Sequence, residues 1–131
     1  MKCEAVLFDL DGTLADTAPD LGQALNQLRA QEGLPPLDPA TLRPYTSAGT
    51  RGMLRVGFDL TPASEAYPAL ARRFLDLYEA GLCVHTHVFP ELVAVLEHLE
   101  AQSIAWGVVT NKPRRYTEPL MAALGLSLRC A

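Results

Sequence analysis

Five residues closing a short apolar run, Asp9-Leu10-Asp11-Gly12-Thr13, hold the densest chemistry in the chain. Two carboxylates one residue apart repel each other unless a cation or a shared proton compensates. At that spacing both can serve one site, one through its side chain and the other also through its backbone. A hard cation such as Mg²⁺ takes few carboxylates and completes its shell with phosphate oxygens and water. Gly12 lets the backbone turn sharply beside a ligand, and the Thr13 hydroxyl can bond a carboxylate or phosphate oxygen. A carboxylate attacking phosphorus forms an aspartyl-phosphate and divides one hard displacement into two. A second acid can protonate the leaving alcohol and then deprotonate the attacking water, while Mg²⁺ neutralises charge and aligns the displacement. Two other readings compete. One is an Asp-Gly hairpin turn. The other is a calcium loop with acids at Asp9, Asp11 and Asp20, but its glycine belongs at the sixth position rather than the fourth, and a helix rather than a strand should precede it.

A second group, Val108-Val109-Thr110-Asn111-Lys112-Pro113, ends another apolar run. If the two runs are neighbouring strands, Thr110 faces the same crevice as Asp9. Its hydroxyl and the Asn111 N–H can then hold a phosphoryl oxygen, with the positive charge of Lys112 nearby. The alternative is a capped loop with an exposed lysine. His85-Thr86-His87 sets two imidazoles on one side of an extended segment, but no third ligand is evident, so a linker is the simpler reading. Arg72-Arg73 and Arg114-Arg115 read as solvated helix faces. Cys3, Cys83 and Cys130 are odd in number and far apart, which suits buried reduced thiols rather than a disulfide framework or a zinc ribbon.

The elements that must position these groups follow from periodicity. Ala5 to Leu10 and Ile104 to Thr110 read as buried strands, being short and rich in branched and aromatic residues. Asp16 to Gln31 places Leu21, Ala24, Leu25 and Leu28 on one stripe, ended by Gly33, Pro35 and Pro36. Asp38-Pro39 opens a short helix, and Gly49 to Phe58 forms another. A longer helix from Pro68 carries Leu70, Ala71, Phe74, Leu75 and Tyr78 and closes near Gly81. Glu91 to Gln102, entered through Pro90, aligns Leu92, Val95, Leu96 and Leu99. A last helix from Arg114 to Leu124 stops at Gly125. Strand, helix, strand is the order of a parallel α/β sheet, whose ligands sit at the carboxyl ends of the strands. Thr17 to Leu82 is too long for an ordinary crossover and reads as a separate helical lobe. The expected division is therefore a core of residues 1–16 and 83–131 and an insert of residues 17–82.

Bulk properties narrow the function class. The 131 residues are 49% hydrophobic and 20% charged, which suits one globular domain. A net charge of -4, without a basic surplus, argues against nucleic acid as a partner. Asp9, Asp11 and Asp16 interrupt the first apolar run, so no membrane span is expected. An acid at Glu4 comes too early for a signal-peptide core. A cytoplasmic setting and a small phosphorylated metabolite as partner are the expectations.

Phe8-Asp9-Leu10-Asp11-Gly12-Thr13-Leu14 with Asp16-Thr17 resembles the first motif of the haloacid-dehalogenase-like (HAD) hydrolases. Val109-Thr110-Asn111-Lys112-Pro113 resembles their second motif in the phosphoglycolate-phosphatase-like branch. Trp106 to Pro113, Glu118-Pro119 and Leu124-Gly125-Leu126 further resemble N-acetylmuramic acid 6-phosphate phosphatases. The resemblance covers the whole chain and implies a Rossmann-like core with a helical cap inserted after the first strand. It implies a Mg²⁺-dependent phosphatase with Asp9 as nucleophile and metal ligand. Asp11 would be the general acid/base and give the metal its backbone carbonyl. Gly12, Thr13, Thr110, Asn111 and Lys112 would serve the phosphate. The cap loop Ser47-Ala48-Gly49-Thr50-Arg51 would meet the leaving group, with Arg51 its charged contact. Substrates implied are phosphoglycolate or an amino-sugar 6-phosphate; a phosphoglucomutase with the same cap and a non-catalytic remnant are the alternatives.

The chain departs from the family pattern in one respect. The family carries a later lysine that holds nucleophile and phosphate, then an acidic motif that completes the Mg²⁺ site. After Pro113 there is no lysine, and after Glu118 no acid. Lys112 belongs to the second motif and does not substitute for the later lysine. Two parallel strands also leave edges and apolar faces uncovered. The expectation is an N-terminal portion of a larger enzyme, with little or no phosphatase activity by itself. Substrate and oligomeric state do not follow from the sequence.

Overall fold

The computed structural model describes residues 2–131. The chain divides into two compact units: the segment up to Asp16 together with His87–Ala131, and the segment Thr17–Thr86.

The first unit is α/β. Strand β1 (Ala5–Phe8) runs parallel to β4 (Ala105–Val108), in register from Ala5↔Ala105 to Phe8↔Val108. Helix α5 (Pro90–Ala101) leads into β4 and α6 (Arg114–Ala123) leaves it. Pro90 sits at the start of α5, where its missing N–H has no intrahelical partner to lose. Gly125 stops α6 in the left-handed region, φ 74°. Leu10, Leu14, Leu96, Leu99, Trp106, Tyr116, Leu120, Met121 and Leu126 form the buried set. Trp106 meets Phe8 edge-on, with ring centroids 6.2 Å apart.

Two short strands not foreseen in the sequence, β2 (Ala15–Asp16) and β3 (His87–Val88), pair antiparallel. Since β1 pairs with β4 and β2 with β3, the Asp-Gly turn between β1 and β2 closes no hairpin. The expectation of buried strands is corrected. Leu7 is 68% and Val109 60% exposed, because a two-stranded sheet leaves edges and one face open. Val95, on the apolar stripe expected of α5, is also exposed. The cysteines are free, but Cys3 is exposed and Cys83 and Cys130 are half-buried, so they are not core thiols. Among the described residues no helix is long and apolar enough to cross a membrane.

The second unit is helical: α1 (Ala18–Gln31), α2 (Pro39–Leu42), a 3-10 turn (Arg43–Ala48), α3 (Gly49–Phe58) and α4 (Tyr67–Ala80). The expected stripe Leu21, Ala24, Leu25 and Leu28 is buried, and α1 packs against α3 and α4. Asp38 caps α2 by accepting from the Ala40 N–H at 2.8 Å. Close packing demands glycine at two points of α3. A Cβ at Gly57 would lie 2.5 Å from Leu25 Cδ1, and one at Gly52 would lie 2.2 Å from the Tyr45 carbonyl oxygen.

The buried carboxylate of Asp20, in the first turn of α1, fastens the far end of this unit. Asp20 Oδ2 accepts from the N–H groups of Val84 (3.0 Å), His85 (3.0 Å) and Thr86 (2.8 Å) and from Thr86 Oγ1 (2.7 Å). Asp20 thereby ties residues 84–86 to the first turn of α1. Hydrogen bonds to a charged acceptor contribute more than neutral ones, and each donor left unsatisfied carries its own cost. Asp20→Ala is expected to lower stability by about 3 kcal/mol and Thr86→Val by about 1 kcal/mol in urea unfolding. A loss below about 1 kcal/mol for Asp20→Ala would contradict the clamp.

Candidate active site

The site begins where two parallel strands end together. Asp9 follows β1 directly, and Val109 N–H donates to the Phe8 carbonyl at 2.8 Å. That bond carries the register one step beyond the strands, so Asp9 and Val109-Thr110 leave the sheet at the same carboxyl end. This is where open α/β sheets place ligands.

The first loop is held by its own backbone. The Leu10 carbonyl faces the N–H groups of Thr13 (3.2 Å), Leu14 (3.1 Å) and Ala15 (3.1 Å), and Gly12 N–H donates to the Ala15 carbonyl at 2.9 Å. Gly12 takes φ 77°, a conformation costly for residues with a Cβ. Leu10 and Leu14 are fully buried and anchor the loop from below. The result separates the two acids. Asp9 is exposed, with Oδ1 accepting from Leu10 N–H at 2.9 Å. Asp11 is buried, 9% exposed. Gly12 and Thr13 are exposed at the turn.

The second loop supplies the partner that sequence reasoning missed. Lys112 Nζ donates to Asp11 Oδ1 at 2.9 Å, with side-chain exposures of 7% and 12%. Burial pushes the Lys112 ammonium below the ordinary lysine range, and the charge of Asp11 opposes that shift. The expected alternative of an exposed lysine is thus corrected. No local pattern pointed to this pair, whose members are 101 positions apart. Thr110 Oγ1 accepts from Lys112 N–H at 3.1 Å, which leaves its own O–H available to donate. Thr117 Oγ1 donates toward the carbonyls of Lys112 and Pro113, each at 3.1 Å, and ties the loop to the first turn of α6. Asn111 is exposed beside Thr110.

Asp9, Asp11, Gly12, Thr13, Thr110, Asn111 and Lys112 all belong to the first unit. Arg51 is exposed on α3 of the second. The Asp9 carboxylate and the Asp11 backbone carbonyl are oxygen donors of the kind a hard cation takes. Among the described residues no three His, Cys, Asp or Glu side chains cluster, at these acids or at His85 and His87. The donor set fits a Mg²⁺ that keeps most of its shell as water and phosphate oxygens.

Comparison with known proteins gives a consistent result. Residues 6–128 match the family model described as haloacid dehalogenase-like hydrolase. The chain is 41% identical over 131 residues to a Pseudomonas putida protein named N-acetylmuramic acid 6-phosphate phosphatase, covering 100% of the chain and 59% of that relative. It is 43% identical over 127 residues to a Xanthomonas campestris pv. campestris protein named phosphoglycolate phosphatase, covering 97% of the chain and 57% of that relative. The chain thus spans under three fifths of the length of these relatives. A crystal structure of a predicted phosphoglycolate phosphatase from Haemophilus somnus 129pt superposes with TM-score 0.84 at 25% identity, covering 100% of this chain and 61% of that one.

The backbone of the first loop yields a direct test. Gly12→Ala is expected to cost about 1–2 kcal/mol, since the left-handed region is closed to most side chains. Thermal melting measures this, and an unchanged midpoint would show that the turn is not strained there.

Proposed function

This chain belongs to the haloacid dehalogenase-like hydrolase family, and from that membership we propose that it carries the nucleophile of a phosphomonoester hydrolysis through an aspartyl-phosphate at Asp9. One observation carries the reading: the extension of the Phe8↔Val108 register by the Val109-to-Phe8 hydrogen bond, which sets Asp9 and Thr110 at one end of one sheet.

In the first step an Asp9 carboxylate oxygen attacks phosphorus as the bond to the alcohol oxygen breaks, and Asp11 gives its proton to that leaving oxygen. In the second, water attacks phosphorus, Asp11 takes a proton from it, and the acyl-phosphate bond breaks to release inorganic phosphate and restore Asp9. The exposure of Asp9 suits a nucleophile that must reach substrate. The contact with Lys112 holds the Asp11 carboxylate in one orientation for both proton transfers. The Thr110 O–H and the Asn111 N–H are donors for the phosphoryl oxygens, whose charge grows during transfer. Gly12 and Thr13 form the turn that faces them. A Mg²⁺ held by the Asp9 carboxylate and the Asp11 backbone carbonyl would neutralise charge on the phosphoryl group. Arg51 is assigned the substrate's non-reacting end on the resemblance of its loop, not on geometry.

The substrate is a small phosphorylated metabolite. The names of the relatives support phosphoglycolate and, as a second reading, N-acetylmuramic acid 6-phosphate. Isomerisation of a sugar phosphate without phosphate release would instead mark a mutase. The full translated gene product is expected to hydrolyse one of these esters with Mg²⁺, and Asp9→Asn to lower kcat by about 10³-fold or more. Retention of activity in Asp9→Asn would sink the assignment. The 131-residue chain alone is expected to turn over p-nitrophenyl phosphate at background. Mg²⁺-dependent turnover that vanishes with Asp9→Asn would overturn that expectation while supporting the nucleophile.

A further inference from the structure

The two aspartates of the first loop share a residue type and nearly a position, yet the reading above gives them different work. Asp9 must meet phosphorus and a cation with its carboxylate, whereas Asp11 must keep its carboxylate free to move a proton. Nothing in an Asp-Leu-Asp spacing enforces that difference. Two carboxylates so close would both be drawn to a divalent ion, since each added carboxylate strengthens the attraction.

The structure contains a feature that separates them. The Lys112 side chain is 7% exposed and reaches Asp11 Oδ1 at 2.9 Å, while Asp9 Oδ1 turns to its neighbour's N–H at 2.9 Å and the residue stays exposed. Lys112 is itself held through both of its backbone polar groups. Its N–H donates to Thr110 Oγ1, its carbonyl accepts from Thr117 Oγ1, and its backbone lies between the end of β4 and the start of α6. A short, buried, charge-assisted bond of this kind sets side-chain direction strongly.

We propose, resting on the phosphatase reading, that Lys112 is a positioning residue. Its ammonium claims the Asp11 carboxylate and keeps it out of a divalent cation's coordination, so that Asp9 supplies the side-chain oxygen at the metal and the Asp11 side chain is kept for proton transfer. The cost is weaker cation binding, because a positive charge sits beside the ion's anionic partners and one carboxylate is withheld. Loss of Lys112 should therefore tighten Mg²⁺ binding, an effect that general damage to the loop would not produce.

The test is a Mg²⁺ titration of the 131-residue chain, followed by the amide NMR shifts of Leu10, Asp11 and Gly12, which requires no turnover. Lys112→Met and Lys112→Gln are both measured, so that one poorly folded variant does not decide the outcome. The expected result is a Kd lowered about tenfold in these variants, close to wild type in Lys112→Arg, and returned to wild type or weaker when Asp11→Asn is added to Lys112→Met. Wild-type binding that is lost in Asp9→Asn, with no tightening in either neutral variant, would overturn the proposal and leave the metal reading intact. Absence of Mg²⁺-dependent shifts in every protein would overturn the proposal, while the aspartyl-phosphate reading would still stand or fall on the activity of Asp9→Asn.

Discussion

The parallel pairing of β1 with β4 is the constraint on which the rest of the site depends. Asp9 and Thr110 lie on loops about a hundred positions apart in the chain, and no local preference brings them together. In a parallel ladder a register fixed at one residue is fixed along the strand, and the Val109-to-Phe8 bond extends it to the last residue before the loops. A slip of one residue would put Phe8 and Trp106 on opposite faces and offset the two loop ends. Burial of Trp106 against Phe8 opposes that slip, so the packing beneath the sheet also maintains the chemistry at its end.

Each loop is then closed by short-range bonds that leave chosen groups outward. The Leu10 carbonyl draws three amides inward, which forces the chain through the left-handed turn at Gly12 and leaves Asp9 in solvent. The Thr110 hydroxyl accepts from within its own loop and retains its proton for an outside acceptor. In the helical unit the same pattern appears at Asp20, where one buried carboxylate accepts from three backbone amides and a hydroxyl. Burial of a polar carboxyl group is tolerated at both Asp20 and Asp11 because hydrogen-bond donors meet it.

Legibility in the sequence varied with the range of the interaction. The helices could be read closely, with α3 at Gly49 to Phe58 as expected and α1 carrying its predicted stripe, because helical periodicity is a local pattern. The parallel α/β class and the two loop motifs were legible for the same reason. The strands' burial was not. Apolar composition states what a strand prefers, whereas the exposure of Leu7 and Val109 depends on which neighbours cover them. The pairing of Ala15-Asp16 with His87-Val88 was also invisible, since two-residue strands carry no periodicity.

By itself, the sequence determined the helical pattern, the position of the glycine turn, and the chemical character of two loops rich in carboxylate, hydroxyl and amide groups. These rest on residue type and near-neighbour spacing, which a linear chain expresses directly. Only the tertiary structure decided that Lys112 belongs to Asp11, that Asp20 holds residues 84–86, and that Asp9 rather than Asp11 faces solvent. Each of those depends on which distant groups burial brings within hydrogen-bonding distance, and a carboxylate's role follows from the charge beside it and the water left around it.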